Sequence, residues 1–417
     1  MYKMKHPLSI SLLAIILALI LLSCDQDDDL TPSPNTITTA AELRAALQDI
    51  YVESEAPALA VSVLKEDAVI FQESFGKADI EAQIAYTNQT IQPIGSISKT
   101  FVAAAIVHAI EQGHFTLDTD INDILPVAVT NPKQPNAVIR VKHLVTHSSG
   151  LLDEMEASFQ GYHILPGEEL STAGAQLLLN GFGIQQREPM PLDEYLAAYY
   201  LEGGDWYSTN NFAAAVPGTS WNYSNIATSL AAYLIEAATG SSFETYVETH
   251  ILQPLGMGNT TYDRAKPDAT RMAKLYWDKN TPLPNYGNDS YPDGSINTSN
   301  EDLAIYLKDM MKGARGQSNT LFSRQGYQML FQAMLPNGKT PAAYADNQGI
   351  FWFLGGNKIK HDGSDPGTTC DLQFDSDGQF GYFLMTNMDA LTDEHEAAYR
   401  ALSSQVHAAI TEFIQHN

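Results

Sequence analysis

The sequence predicts an α+β fold with one antiparallel sheet built from N-terminal and C-terminal strands. Helices flank this sheet, and a mostly helical lobe is inserted between the two groups of strands. Residues 58–65 alternate apolar and small side chains, and after a two-residue turn residues 68–75 return, which is typical of a hairpin. Short aromatic stretches at 350–354, 368–374 and 380–386 indicate the late strands. The simplest packing pairs these two groups of strands with each other.

Helical patterns flank and separate the strands. In the helix predicted over residues 96–112, only His108 is polar between positions 101 and 110, so we expect this helix in the middle of a large core. Ser299 and Asp302 form a capping pair that opens a later helix. The predicted helices are 38–51, 96–112 (closed by Gly113), 226–238 (ended by Gly240), 299–312 (followed by Gly313) and 394–414.

The length of 417 residues is more than one compact core usually holds, which favours a large domain with an insertion. We expect residues 38–417 to form the folded domain, with an α/β lobe of about 38–113 and 291–417 and a helical lobe of about 114–290. Residues 24–37 are charged and proline-bearing, which is typical of a flexible tether. A cleft between two lobes is a common place for an active site.

Residues 1–23 are interpreted as a lipoprotein signal peptide. A basic head precedes an apolar run at 12–22, which is too short to span a membrane. The run ends in Leu-Leu-Ser-Cys, which resembles the lipobox of bacterial lipoproteins, and this predicts acylation of Cys24. The alternative is an ordinary signal peptide that ends near a cysteine. The first interpretation predicts a lipid-anchored protein of the bacterial cell envelope and leaves Cys370 as a lone thiol.

Composition excludes several classes of function. The chain carries 49 acidic and 23 basic residues, a formal charge of −26, which repels nucleic acid and anionic lipid, so we expect membrane contact only through the lipid anchor. Two cysteines are too few for a four-cysteine zinc site, a four-thiolate cluster or a disulfide scaffold. His143 and His147 lie four residues apart, but no third metal ligand is obvious nearby, so structural hydrogen bonds are favoured. No metal or organic cofactor is predicted, and the oligomeric state is left open.

The nucleophile motif G-x-S-x-G and the metalloprotease motif H-E-x-x-H are both absent, whereas S-x-x-K occurs three times. The matches that begin at residues 62 and 74 fall in or beside predicted strands, where residues three apart face opposite ways. Only Ser96 and Lys99 open a helix, which places both side chains on one face. Burial there lowers the pKa of a lysine, and a neutral amine can accept the serine proton. The alternative is a capping serine beside a solvated lysine.

The segment around Ser96 resembles the serine β-lactamase and penicillin-binding protein superfamily, in the branch of class C β-lactamases, DD-peptidases and esterases. Four later segments extend this resemblance to about residues 40–410 in the expected order. Y-x-N also occurs at Tyr86 and Tyr286, but only Tyr223 combines a preceding Pro-Gly turn with a following apolar helix. The segments are 95–101 (GSISKTF), 141–151 (VKHLVTHSSGL), 217–225 (PGTSWNYSN), 293–303 (from DGS to DL) and 361–363 (HDG).

The resemblance implies a β-lactamase/transpeptidase-like fold and a role for each matched residue. Ser96 is expected to attack the acyl carbonyl, and Lys99 and Tyr223 to share general base and acid duty. Which of the two takes the first proton is left open. Asn225 is expected to hydrogen-bond the substrate amide and Lys99.

The resemblance also implies roles for residues 361–364, on the opposite side of the site. The backbone N–H groups of Ser96 and Ser364 are expected to form the oxyanion hole. His361, beside Gly363, stands where the family places a lysine or histidine that positions substrate and keeps the site electropositive. Asp362 departs from the family, which usually has a hydroxyl there that binds the substrate carboxylate.

A second carboxylate at Asp362 repels a substrate carboxylate, holds His361 protonated or accepts a free amino group, and the sequence leaves these alternatives open. The function expected is hydrolysis through an acyl-enzyme at Ser96, on D-amino-acid peptides or amides, as in D-Ala-D-Ala carboxypeptidases and β-lactamases. A carboxylesterase or D-aminopeptidase of the same fold is the alternative. A non-catalytic penicillin-binding-like protein is a further one. Residues 153–200 match the family poorly and leave the substrate open.

Overall fold

The N-terminal hairpin and the late strands form one antiparallel sheet, as predicted. Ala60 pairs with Met385 at the junction between the two groups. Within the part of the chain that the structure describes, this sheet has eight strands in the order β11-β12-β13-β14-β15-β1-β2-β3. They are β1 Ala58–Lys65, β2 Ala68–Asp79, β3 Ile84–Ala85, β11 Asn347–Gln348, β12 Phe353–Gly355, β13 Lys358–Asp365, β14 Thr368–Asp375 and β15 Phe380–Thr386. The strands in between belong to smaller sheets.

The computed structural model describes residues 36–154, 157, 159–263, 269–336, 339 and 345–417. Ile37–Asn417 form one compact unit. The predicted signal peptide, Cys24 and all but the last two residues of the predicted tether lie outside the described residues. Among the helices in the described ranges, none is long and apolar enough to cross a membrane.

Helices cover both faces of the sheet. Helices α1 (Ala40–Glu53) and α11 (Asp393–Gln415) pack on one face, where Leu47 and Val406 share a core cluster with Leu384 of β15. Helix α2 (Ser98–Glu111) lies on the other face in a larger cluster that includes Met385. Because successive residues of a strand point to opposite faces, neighbouring positions of β15 serve different cores.

Helix α2 is buried on nearly all sides, which confirms the sequence prediction. Its residues from Ser98 to Val107 are all buried. Phe101 stacks on Tyr306 with ring centroids 4.1 Å apart. Tyr306 belongs to α9 (Asn300–Ala314), whose N-cap Ser299 accepts a hydrogen bond from the Asp302 amide, as the capping pair predicted.

The middle of the chain contains helices, as expected, but also small sheets that the sequence analysis missed. One sheet joins β4 and β10, one joins β6, β5 and β9, and one joins β7 and β8. The remaining strands are β4 Ile91–Pro93, β5 Tyr162–Ile164, β6 Gln185–Gln186, β7 Tyr276–Asp278, β8 Thr281–Pro282, β9 Tyr286–Asn288 and β10 Asn297–Ser299. The remaining α-helices are α3 Val141–Val145, α4 Ala173–Gly181, α5 Leu192–Tyr200, α6 Asn225–Thr239, α7 Phe243–Val247, α8 Gln253–Leu255 and α10 Arg324–Phe331. A π-helix spans Glu248–Leu252, and 3₁₀ turns span Gly95–Ile97, Ile121–Asp123, Thr209–Asn211, Ala269–Arg271 and Tyr291–Asp293.

Two predictions for the C-terminal part of the chain were partly wrong. The strand predicted at 350–354 begins only at Phe353, because Phe351 adopts a positive φ of 56° that breaks extended structure. Helix α9 continues through Gly313, where a Cβ would lie 2.0 Å from the Tyr327 ring, so this glycine allows close helix packing and does not end the helix. Strand β13 was not predicted at all.

Candidate active site

The nucleophile candidate Ser96 lies in a tight turn between β4 and α2. Gly95 has a φ of +52°, and a Cβ on it would lie 2.5 Å from the Ser364 amide nitrogen, so both backbone conformation and space require glycine. The 3₁₀ turn Gly95–Ile97 leads directly into α2. The Ser98 hydroxyl donates to the Gly95 carbonyl at 2.6 Å and stabilises the turn. Ser96 is therefore presented at the start of a rigid, buried helix.

Lys99 lies one helical turn from Ser96 and contacts it. Its Nζ is 3.0 Å from Ser96 Oγ and 2.7 Å from the carbonyl oxygen of Asp293. The side chain is fully buried. This burial lowers the pKa of Lys99 below its usual value, although the carboxylates of Asp293 and Asp153 oppose the shift. The uncharged amine is thereby favoured, as the sequence predicted.

The Tyr223 phenol completes this group. Lys99 Nζ lies 5.1 Å from the centroid of its ring. The nearby Ser96 side chain opposes the upward shift that burial gives the pKa of the phenol. Burial raises the pKa of Tyr223 well above its usual value, so the phenol keeps its proton at neutral pH. Burial thus moves the two pKa values in opposite senses, downwards for Lys99 and upwards for Tyr223.

Asp153 binds the three residues that follow Tyr223. One carboxylate oxygen accepts the Ser224 hydroxyl at 2.7 Å and the Ile226 amide at 3.1 Å, and the other accepts the Asn225 amide at 2.6 Å. These amides are the free N–H groups at the start of α6, where a carboxylate is also favoured by the helix dipole. Ser224, the residue after Tyr223, is thereby hydrogen-bonded to Asp153, which lies 71 residues earlier in the chain.

Strand β13 forms the opposite wall of the site. A Cβ on Gly363 would lie 2.0 Å from the Ile94 carbonyl oxygen and 2.9 Å from the Ser96 amide nitrogen. The strand backbone therefore packs directly on the nucleophile turn. This contact brings the amides of Ser96 and Ser364 together, the two groups predicted to form the oxyanion hole. The Ser364 hydroxyl is buried, and no hydrogen-bond partner for it lies among the described residues.

His361 faces the same side of the sheet as Gly363 and is buried. Its Nδ1 donates to the Asp362 backbone carbonyl at 2.6 Å, and its ring lies 4.9 Å from Phe353. Burial lowers the pKa of His361 to about 4, so the imidazole is neutral at physiological pH. This shift runs against the expectation that His361 keeps the site electropositive and against the alternative of a protonated His361. Its Nε2 has no partner within the described part of the chain.

Asp362 lies on the other face of the sheet. It pairs with Asp371 of β14, and Asp371 Oδ2 lies 3.6 Å from His407 of α11. Directly opposed residues of paired strands share a face, so the exposed Asp362 side chain points towards α11 and away from Ser96. The structure thus brings together Ser96 and the other predicted residues, but not the Asp362 carboxylate.

Asn225 is the first residue of α6, two positions after Tyr223. The hydrogen bonds described for Lys99 go to Ser96 and Asp293, so a bond between Asn225 and Lys99 stays a prediction. The two other S-x-x-K matches lie within β1 and β2, as expected. Their serines are therefore not presented by a helix.

The predicted structural role of the histidine pair agrees with their contacts. His143 Nδ1 accepts the Arg140 amide at 3.1 Å, and His147 Nδ1 accepts the Ser224 amide at 3.3 Å. The centroid of the His147 ring lies 4.5 Å from that of the Tyr223 ring. The backbone of His147 has a positive φ of 52°. No group of three or more potential metal ligands is found in the described ranges of the chain.

Sequence reasoning missed three residues that build the site. Asp153 lies just after the segment 141–151, but nothing in its sequence position indicates a cap for a helix at 225. Asp293 acts through its backbone carbonyl, which no side-chain pattern reveals. His147 was quoted within a motif, but its contact with Tyr223 needs the fold.

A model of the Beta-lactamase family matches residues 42–406, most of the chain. The chain belongs to the Beta-lactamase family. This Beta-lactamase family chain is 28% identical to Esterase EstB of Burkholderia gladioli over 59% of its own length and 57% of the esterase. It is 25% identical to Penicillin-binding protein 4* of Bacillus subtilis over 47% of its own length and 36% of that protein. It is 26% identical to a D-aminopeptidase of Gluconobacter oxydans over 55% of its own length and 38% of that enzyme. It therefore spans little more than half of the esterase and a smaller part of the other two.

Solved structures show that the fold is that of the family. An octameric penicillin-binding protein homologue from Pyrococcus abyssi superposes with a TM-score of 0.65 at 24% identity, covering 86% of this chain and 76% of that one. A class C β-lactamase superposes with a TM-score of 0.63 at 18% identity, covering 88% and 97%. The predicted β-lactamase/transpeptidase-like α+β fold is confirmed.

Proposed function

We propose that this chain is a serine hydrolase that forms an acyl-enzyme at Ser96 and acts on D-amino-acid amides, peptides or esters. The observation that carries the proposal is the 3.0 Å approach of Lys99 Nζ to Ser96 Oγ inside a buried helix start. A lysine held this way is pushed towards its neutral form, and a hydroxyl beside a neutral amine is an activated nucleophile. The esterase and D-aminopeptidase relatives support the same chemistry at low identity.

In the proposed reaction, Lys99 Nζ accepts the Ser96 hydroxyl proton while Oγ forms a bond to the substrate carbonyl carbon. The amides of Ser96 and Ser364 stabilise the developing oxyanion, and each such donor is worth about 3 kcal/mol in comparable sites. The bond to the leaving amine or alcohol then breaks as Tyr223 supplies a proton, and the proton held by Lys99 Nζ passes to the phenolate, which restores both groups. Water repeats the sequence on the acyl-enzyme and releases the acid.

The neutral His361 favours leaving groups that carry no carboxylate. A lysine or protonated histidine at this position attracts the carboxylate of a departing D-alanine, whereas an imidazole with a pKa of about 4 offers no charge. This favours amide and ester substrates, as in a D-aminopeptidase or esterase, over D-Ala-D-Ala carboxypeptidase activity. Hydrolysis of D-Ala-D-Ala peptides or β-lactams is the second candidate, supported by the relationship to a penicillin-binding protein.

Intact-mass spectrometry after exposure to a fluorophosphonate and to a fluorescent penicillin tests the proposal. We expect a single phosphonate adduct that Ser96→Ala abolishes and that Ser74→Ala, in the S-x-x-K match on β2, leaves unchanged. A penicillin adduct at Ser96 supports the second candidate. If neither reagent labels the folded protein, the chain is a non-catalytic binding protein and the proposal is wrong.

We further propose that residues 1–24 direct the protein to the cell envelope and that Cys24 carries the lipid. The apolar run ending in Leu-Leu-Ser-Cys supports this. Fractionation of cells expressing the full chain and the Cys24→Ser variant tests it. Membrane association of the first and release of the second is expected, and equal release of both contradicts it.

A further inference from the structure

A cavity of about 410 Å³ borders the segments that hold the candidate site. Pro93, three residues before Ser96, lines it, as does Asp365, the residue after Ser364. Ser295, two residues after the Asp293 carbonyl that binds Lys99, lines it as well. The cavity is therefore lined by chain neighbours of both predicted oxyanion donors.

The direction of β13 decides which part of a substrate reaches this cavity. His361 lies on the Tyr223 side of the site, because Phe353 contacts both His361 and, with ring centroids 6.5 Å apart, Tyr223. The leaving group, which receives its proton from Tyr223, departs on that side. Asp365 lies at the other end of the strand, so the acyl part of the substrate extends towards it.

Asp365 gives the cavity a carboxylate. The side chain is 9% exposed, and the Tyr162 hydroxyl donates to its Oδ1 at 2.6 Å. Its Oδ2 faces Gly294, where a Cβ would lie 3.1 Å away, so the glycine keeps space open beside this oxygen. A second acceptor lies in the same wall: Asn297 is fully buried, and its Oδ1 has no hydrogen-bond partner among the described residues.

The charges around the cavity agree with these two acceptors. The other acidic residues in its lining are Glu244, Asp263 and Asp289. None of the lining residues in the described ranges is lysine or arginine. The imidazole of His163 is mainly desolvated, and this burial lowers its pKa. Asp289 is paired with Arg187 at 2.5 Å, so this carboxylate adds little net charge. The lining therefore offers hydrogen-bond acceptors and, in the described ranges, no lysine or arginine that would attract an anionic acyl group.

We propose that Asp365, with Asn297 Oδ1, binds a protonated amine carried on the acyl part of the substrate. This specificity rests on the proposed function, since it concerns the group that stays attached to Ser96. It assigns to Asp365 the free-amine recognition that the sequence offered as one alternative for Asp362. The protonated amine donates hydrogen bonds to both acceptors, and its charge compensates a carboxylate that is costly to bury.

Paired p-nitroanilides test the proposal, because they differ only by an ammonium or a methyl group. One pair is D-alanine and isobutyric p-nitroanilide, and a longer pair is 6-aminohexanoic and heptanoic p-nitroanilide. We expect kcat/KM to favour the amine by at least about tenfold in one pair. Asp365→Asn should reduce this ratio at least fivefold while the methyl substrate is still hydrolysed. Asp371→Asn, the same change on the other face of the sheet, should leave the ratio unchanged.

The pH dependence of the ratio provides a second test. Burial raises the pKa of Asp365 to about 7, so its charge develops as pH rises through 7. The amine preference in the 6-aminohexanoic pair should therefore increase between pH 6 and pH 8, a range in which its alkyl ammonium stays protonated. The groups that face Asp365 are Tyr162, Asp293, Lys99 and Asp389. Because a change of charge at any of these groups also acts on the ammonium alone, the profile is compared with that of Asp365→Asn, which should be flat over the same range.

Two failures are distinguishable. Equal rates within both pairs, or equal losses in Asp365→Asn, overturn the amine site and leave hydrolysis at Ser96 intact. If no p-nitroanilide is turned over and a fluorophosphonate also fails to label Ser96, the proposed function has failed and the specificity falls with it. If Asp365→Asn does not fold, a flat pH profile of the wild-type ratio overturns the amine site.

Discussion

The helical side of the candidate site, formed by Ser96, Lys99 and Tyr223, differs from the strand side, formed by residues 361–365, in how its polar atoms are partnered. On the helical side, Lys99 Nζ contacts both Ser96 Oγ and the Asp293 carbonyl oxygen. On the strand side, His361 Nε2 and the Ser364 hydroxyl are buried without partners among the described residues. Partnered groups hold a fixed geometry for proton transfer, whereas unpartnered groups are available to a substrate.

The comparison predicts that losses on the helical side affect chemistry, while changes to the side chains of the strand side affect binding or specificity and its backbone contributes to chemistry through the Ser364 amide. The variants below test this separation.

Lys99→Met removes the amine and keeps an unbranched side chain in the buried position. We expect the acylation rate to fall by about 10³-fold, because Ser96 loses its base. The rate is measured by single-turnover release of p-nitrophenol from a D-alanine ester. Lys77→Met, in the S-x-x-K match on β2, is the control and should leave it unchanged. An acylation rate within tenfold of the wild type would show that Lys99 is not the base.

Gly363→Ala tests the contact between the two sides. Its Cβ would lie 2.0 Å from the Ile94 carbonyl, so β13 must move away from the nucleophile turn and carry the Ser364 amide with it. We expect kcat to fall by about 10²-fold, the effect of losing one oxyanion donor. Gly258→Ala is the matched control, because a Cβ there meets nothing within 4 Å. Wild-type kcat in Gly363→Ala contradicts the predicted oxyanion hole.

How much of this architecture the sequence predicts depends on the range of the contacts. The turn and helix around Ser96 were predictable because glycine, the S-x-x-K spacing and an apolar run lie within 20 residues. Strand β13 was not, because Lys-Ile-Lys-His-Asp-Gly-Ser-Asp is charged and its strand conformation depends on pairing with β14. The Asp153–Asn225 contact spans 72 residues and the Lys99–Asp293 contact 194, so neither leaves a local pattern.

Asp153→Asn weakens the support of the segment after Tyr223 and removes a carboxylate that raises the pKa of Lys99. The amide can accept only through one atom, so at least one of the three hydrogen bonds at the start of α6 is lost. We expect a loss of about 1–2 kcal/mol in the free energy of unfolding and about tenfold in kcat. Thr172→Ala, which removes the cap of α4, should cost about 1 kcal/mol with kcat unchanged. If both variants lose the same stability and neither loses kcat, Asp153 does not position Tyr223.

Asp362→Thr tests whether the two faces of β13 have separate roles. If the Asp362 carboxylate itself excludes carboxylate-bearing substrates, the hydroxyl should raise kcat/KM for a D-Ala-D-Ala peptide strongly. The register instead places Asp362 opposite Asp371 on the α11 face. We therefore expect kcat/KM to change by less than about threefold, both for this peptide and for D-alanine p-nitroanilide. Steady-state kinetics with both substrates measures this, and Asp375→Asn, on the same strand face at the far end of β14, controls for surface charge. A selective gain on the peptide would mean that Asp362 turns into the site when substrate binds, and that the two faces of the strand act together in recognition.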